Sequence, residues 1–283
     1  MVNIKKIFSI SLYHIRKWPI NPRIYLIFIM IFLYLHSILN PINIFCNHMN
    51  QPITPYVFPF LMSHTNSVLL IMFGVALLFC DAPFVEIDQP YIILRSGRRI
   101  WVAGNILYIL IASLIYISAI LIFSLLILSP NLEFSMDWGK VIGTFAQTNI
   151  SPRHNIFIPF SFSIFNAYPP VLALCISFLN CWLISFALGM LMFVLNLNFS
   201  RFAGILGASL LIFWQVAVTK MWTGFTKFSP VTWVSLAQID TNNSTLYPSL
   251  QHVYISITIA IIILTILCMT SMRKRDIDIL KSV

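Results

Sequence analysis

Charge is what this sequence has least of. Charged residues make up 9% of the 283 positions and the hydrophobic set 59%. A soluble domain carries about 25% charged residues, so a soluble globular class is excluded. Acids are scarcest of all. There are 8, against 17 Lys and Arg, and the only glutamates are Glu86 and Glu133. A paired-glutamate membrane protease is hard to build from two such distant residues. Other absences follow: no HExxH zinc pair, no GxSxG nucleophile turn and no GxxxxGK phosphate loop. Cysteine is sparse and odd in number: Cys46, Cys80, Cys175, Cys181 and Cys268, with no CxxC or Cys/His metal spacing. No uninterrupted apolar core follows the first basic residues, so a cleavable signal peptide is not expected. The longest polar stretch, residues 129–170, is too short for a soluble domain.

What is present is a series of apolar runs near membrane length. The expected fold is all-α: a polytopic membrane protein with six transmembrane helices in a single transmembrane domain. The runs are Ile24–Leu39, Val57–Phe79, Ile100–Leu128, Val171–Leu195, Phe202–Val218 and Val253–Met272. None contains Asp, Glu, Lys or Arg, and His36 and His64 are their only imidazoles. Intramembrane charge usually marks a proton or ion path, so its absence argues against a gradient-driven secondary carrier.

The net charge of +9 does not imply nucleic acid. Lys and Arg gather in cytoplasmic loops as topology signals. Thirteen of the seventeen fall in the N-terminal segment, the loops after the second and fourth runs, and the C-terminal segment. Lys140, Arg153, Lys220 and Lys227 fall on the other side. Both termini are therefore expected in the cytoplasm of a cell-membrane protein. The N-terminal segment sets Ile4, Ile7, Phe8, Ser11, Leu12 and Ile15 at helical spacing apart from most of its bases. That pattern predicts an amphipathic helix against membrane lipids, with Trp18 at headgroup depth and Pro19 and Pro22 ending it.

Two outer connections are long. In the first, "SMDWGKVIGTFAQ" predicts a short helix with Trp138, Val141, Ile142 and Phe145 on one face. The second, residues 219–252, is aromatic-rich through Trp222, Phe225, Phe228 and Trp233. It reads either as a segment re-entering the membrane before the sixth span or as an interfacial aromatic belt. "MSHTNS" (Met62–Ser67) is the one polar cluster in a span. His64, Thr65 and Asn66 there either line a path or form a wet helix end.

The remaining charge concentrates in "FCDAPFVEIDQPYIILRSGRRIW", Phe79–Trp101. Asp81 is placed to cap a helix with Pro83 in its first turn. "PYIILRS" reads as a second short helix that Gly97 ends, and a new helix starts near Arg98. The expectation is a rigid charged elbow below the membrane, with Asp81, Pro83, Phe84, Glu86, Tyr91, Arg95, Gly97 and Arg98 presented to a partner.

"DAPF" followed by "ILRSGRRIWVAGNILY" resembles the cytoplasmic loop of membrane-spanning permease subunits of type-2 ABC exporters from Gram-positive bacteria. The basic amphipathic start, "FSPVTWVSL" before the last span and the basic ending "RKRDIDIL" are similar to the same class. The resemblance implies a coupling loop at those residues and a translocation path. It also implies partner ATP-binding subunits carrying ATP and Mg, no cofactor or ATPase site in this chain, and a second permease copy or a related chain. It does not name the cargo. The residues alone leave open a non-transporting membrane protein, such as a sensor, an immunity protein or an assembly scaffold.

Overall fold

The computed structural model describes residues 2–84, 89–148, 150–200, 202–240 and 247–274. Among them the fold is helical, with isolated bridges and no strands. In chain order the helices are α1 (Val2–Arg16), α2 (Pro22–Met49), α3 (Phe58–Leu61), α4 (Thr65–Leu78), α5 (Gln89–Ser96), α6 (Arg98–Leu128), α7 (Gly139–Gln147), α8 (Phe162–Ala167), α9 (Pro170–Asn198), α10 (Ala203–Lys220) and α11 (Leu250–Lys274). Five of these, α2, α6, α9, α10 and α11, are long and apolar enough to cross a membrane. The chain is a multi-pass, all-α membrane protein.

The run expected as one span over Val57–Phe79 is broken. Residues 62–64 separate the single turn of α3 from the 14 residues of α4. At 1.5 Å per residue α4 covers about 21 Å, short of the roughly 30 Å hydrocarbon core. Pro59 opens α3, and the break falls on the polar cluster at Ser63 and His64. Both signals lay within a run whose mean hydropathy concealed them.

The long helix α6 is central. It packs against α1, α2, α9 and α11. Side-chain donors lock it to its neighbours. Tyr116 Oη donates to the Ile71 carbonyl of α4 at 2.9 Å, and Trp182 of α9 donates to the Leu110 carbonyl at 3.2 Å. Asn43 of α2 donates to the Ile127 carbonyl at 2.7 Å. Such ties matter in a membrane bundle, where lipid is as apolar as the core and offers helices little hydrophobic gain on association.

The N-terminal helix forms, and it also packs against α6, a contact its spacing did not announce. Ile10, Ser11 and His14 are buried against α6, while Ile4 and Phe8 remain exposed. The close approach depends on Gly104, where an added Cβ would stand 2.7 Å from Ile10 Cγ2. His14 sits 5.0 Å from the Tyr108 ring and 5.5 Å from that of Phe84. Burial pushes its pKa down to about 4; the Lys17 charge acts the same way, and the Asn105 side chain opposes both. The folded state therefore holds a neutral ring, and the unfolded chain takes up the proton first. Stability is full above the ordinary value of 6.5 and falls as pH drops from there towards 4. At pH 5 the loss is at most about 2 kcal/mol, from 1.36 kcal/mol per pKa unit. The melting temperature should drop between pH 7.5 and 5 by more in the wild type than in His14→Gln. Equal drops would remove His14 as the cause.

The two long connections are folded among their described residues. Trp138, Val141, Ile142 and Phe145 are buried on one face of α7, as expected. Their partners include Phe45, 4.8 Å from Phe145, and Phe60, 5.3 Å from Trp138. The last connection forms three 3-10 segments, Thr223–Phe228, Pro230–Val234 and Leu236–Gln238. Val231, Thr232, Trp233 and Val234 are all buried. The Trp233 carbonyl accepts from Asn180 Nδ2 at 3.2 Å. Asn180 lies ten residues into α9, about 15 Å along its axis. This irregular backbone is tucked among α9, α10 and α11.

Candidate functional site

The elbow after α4 holds most of the residues singled out by sequence. Residues 80–84 form a turn, not the first turn of a helix. Asp81 is not a helix cap here. Its Oδ2 instead accepts from Arg23 Nη1 at 2.5 Å, with Cys80 Sγ equally close to the same nitrogen. Arg23 belongs to the first turn of α2, 58 positions away. The two side chains keep 39% and 56% exposure. An ion pair this wet contributes only about 0.2–1 kcal/mol, so it orients the turn more than it stabilises the fold.

Phe84 departs most from expectation. Its φ is +59°, and that left-handed residue turns the ring inward. The ring is 8% exposed, 5.0 Å from Tyr108 and 6.4 Å from Phe193. It is an internal packing residue, not a surface anchor. Pro83 is half-buried. Glu86 lies outside the described residues.

Beyond the turn, α5 and α6 form the expected pair of helices. Gly97 separates them with φ +88°, a conformation that side chains other than glycine's rarely adopt. On α5, Ile93 is buried. Tyr91 is 73% and Leu94 79% exposed. Arg95 is exposed and Arg98 half-buried. A helix of eight residues thus presents two large apolar side chains and a cation outward, while Ile93 and half-buried Ile92 fasten it.

A joint that sequence reasoning missed fixes the base of this elbow. Asn196, near the end of α9, is buried. Its Nδ2 donates to the Ala82 carbonyl at 2.7 Å, and its Oδ1 accepts from the Gly204 amide at 2.6 Å. One side chain therefore ties the turn after α4 to the first turn of α10. Gly204 is needed there, since a Cβ would stand 2.5 Å from Asn196 Oδ1. With the Arg23 ion pair, the turn is held to α2, α9 and α10 together.

The polar cluster at the α3–α4 break forms a second candidate. His64 Nδ1 and Ser67 Oγ lie 2.9 Å apart, and Ser67 Oγ lies 3.0 Å from Tyr34 Oη. Tyr34 is twelve residues into α2, about 18 Å along the helix and so well within hydrocarbon depth. Thr65 is half-buried and Asn66 exposed. His36 is exposed on α2 and shares no hydrogen bond with this chain of groups.

No group of three His, Cys, Asp or Glu among the described residues could hold a metal ion. The five cysteines are free, and Cys46 is buried in α2. The turn at the elbow is tied by side-chain hydrogen bonds to three helices, α2, α9 and α10. Comparison with protein-family models, curated proteins and solved structures found no match.

Proposed function

We propose that the chain is the membrane-spanning subunit of an ATP-driven exporter of the ABC type, worked by separate ATP-binding subunits. The observation that carries this reading is α5. It is short, ends at a left-handed glycine, and displays Tyr91, Leu94 and Arg95 outward beside the turn held by Arg23 and Asn196. A solvated loop has no use for exposed large apolar residues on a fastened helix. A groove on a partner has, because buried aromatic and aliphatic anchors supply most interface energy. The resemblance of Asp81–Phe84 and Ile93–Tyr108 to exporter coupling loops supports the same assignment.

In this reading both termini are cytoplasmic and α1 lies at the inner interface, its exposed Ile4 and Phe8 in lipid. The broken pair α3 and α4 serves as the second of six spans. The tucked segment Pro230–Val234 is a re-entrant gate, its carbonyl satisfied by Asn180 as membrane depth requires. The path runs past His64, Thr65 and Asn66, with Tyr34 and Ser67 beside them, and a second copy or related chain completes it. Docking of ATP-bound partners pushes α5, and the turn passes the movement to α2, α9 and α10. ATP and Mg stay on the partner.

Purification in mild detergent from the native cell tests this. An ATP-binding chain should remain bound and hydrolyse ATP, and a photo-cross-linker at Leu94 should capture that chain. If no ATP-binding chain is retained and Leu94 cross-links to nothing, the proposal is wrong.

A further inference from the structure

Between the first turns of α2 and α10, over the end of α4, lies an open-sided cavity of about 820 Å³. Its walls are apolar, with Ile24, Ile27, Leu77 and Ile205 among them. Its rim is polar: Lys17, Asn21 and Arg23, with Asp81 as the one carboxylate among the described residues. Asp81 is already paired with Arg23. Lys17 lines the cavity, and its ammonium lies 4.3 Å over the Tyr13 ring beside it. Trp18 is fixed in the wall by a 3.1 Å hydrogen bond from its Nε1 to Tyr108 Oη.

Two features place and orient the cavity. Its lips are Ile20, 82% exposed, and Phe202, 73% exposed. Both stand directly before membrane-length helices, α2 and α10, so they lie at the headgroup boundary of one leaflet. Lips that are apolar and bare open sideways into the bilayer; an aqueous mouth would expose them to water at a cost. The electrostatics favour an anion. The positive N-terminal ends of α2 and α10 border the cavity along with Lys17, and they outweigh the C-terminal end of α4 and the neutralised Asp81. The volume falls in the roughly 300–1,000 Å³ range of small-molecule sites.

We infer that this cavity is a binding site for an anionic membrane phospholipid. The headgroup sits by Lys17 and Asn21, and the upper acyl chains lie along Ile24, Ile27, Leu77 and Ile205. The site requires only that α2 and α10 cross the bilayer; it does not depend on the transport reading. Lysine near a membrane surface attracts anionic lipid, and here the surface supplies a walled pocket beside it.

Native mass spectrometry of delipidated, detergent-purified protein provides the test. Phosphatidylglycerol and phosphatidylcholine of matched acyl chains are titrated separately. The expected result is one phosphatidylglycerol retained per chain, about fivefold more strongly than phosphatidylcholine, as one added charge contact implies. Lys17→Gln should remove that preference. Arg16→Gln, an equal loss of charge on an exposed neighbour outside the cavity, should preserve it. Ile205→Trp fills the apolar part and should release both lipids while wild-type helicity is kept. Leu77→Trp does the same from the opposite wall. Equal retention of the two lipids would overturn the inference. So would equal losses in Lys17→Gln and Arg16→Gln, which would mean diffuse attraction to the basic surface. A dimer that takes up neither lipid on titration would also overturn it, because a second copy would then fill the space.

Discussion

Replacing Asn196 with leucine is expected to be among the most damaging single changes in this chain, although no charge or ligand is touched. The side chain makes two buried hydrogen bonds at once, to the Ala82 carbonyl and from the Gly204 amide. Leucine has similar volume and can make neither. Each unpaired backbone group in a dry setting costs about 1–3 kcal/mol, so the variant should lose roughly 2–6 kcal/mol. Gly204→Ala attacks the same joint from the other side, since its Cβ would crowd Asn196 Oδ1. Asn198→Ala is the control. Asn198 bonds only within its own helix, to the Val194 carbonyl at 3.0 Å, and should change stability by less than about 0.5 kcal/mol. Thermal unfolding in detergent orders the three variants, and limited proteolysis reports whether the turn after α4 has loosened. If Asn196→Leu melts with the wild type and resists protease equally, the joint does not hold the elbow.

That joint shows where sequence reading stops. Helix existence was legible because apolar runs of membrane length carry their own signal, and five of the six expected spans are single long helices. Gly97 between "PYIILRS" and Arg98 was legible too, since glycine at such a boundary has a local reason to be there. Local patterns also marked the buried face of α7. Contacts between distant segments were not legible. Nothing in one sequence pairs Arg23 with Asp81 or Asn196 with Ala82, 58 and 114 positions apart. The break between α3 and α4 had signals in Pro59 and His64, but a strongly apolar run masked them. Phe84 misled for a different reason. Charges around it suggested an exposed loop, and only the positive φ of its backbone turns the ring to Tyr108 and Phe193. Amphipathic spacing in α1 correctly demanded an apolar side. It could not say that α6, through Gly104, would take Ile10.

Moving the docking anchor from Phe84 to α5 gives the proposed coupling its sharpest test. Tyr91→Ala with Leu94→Ala should leave the bundle's stability unchanged within about 0.5 kcal/mol, because both side chains are exposed among the described residues. Their binding role should be large. Two anchors that each contribute more than about 1.4 kcal/mol to an interface together account for roughly a hundredfold in affinity. The double variant should therefore lose a co-purifying ATP-binding subunit under conditions where the wild type keeps it, and should lose transport with it. Phe84→Ala should behave the opposite way. Removing a buried phenyl ring costs about 3–5 kcal/mol, so this variant should lower the melting temperature first and partner binding only as a consequence. The crossing of these two outcomes separates surface from core. If the double variant keeps full partner binding while Phe84→Ala abolishes it at unchanged melting temperature, α5 is not the docking helix and the turn residues are.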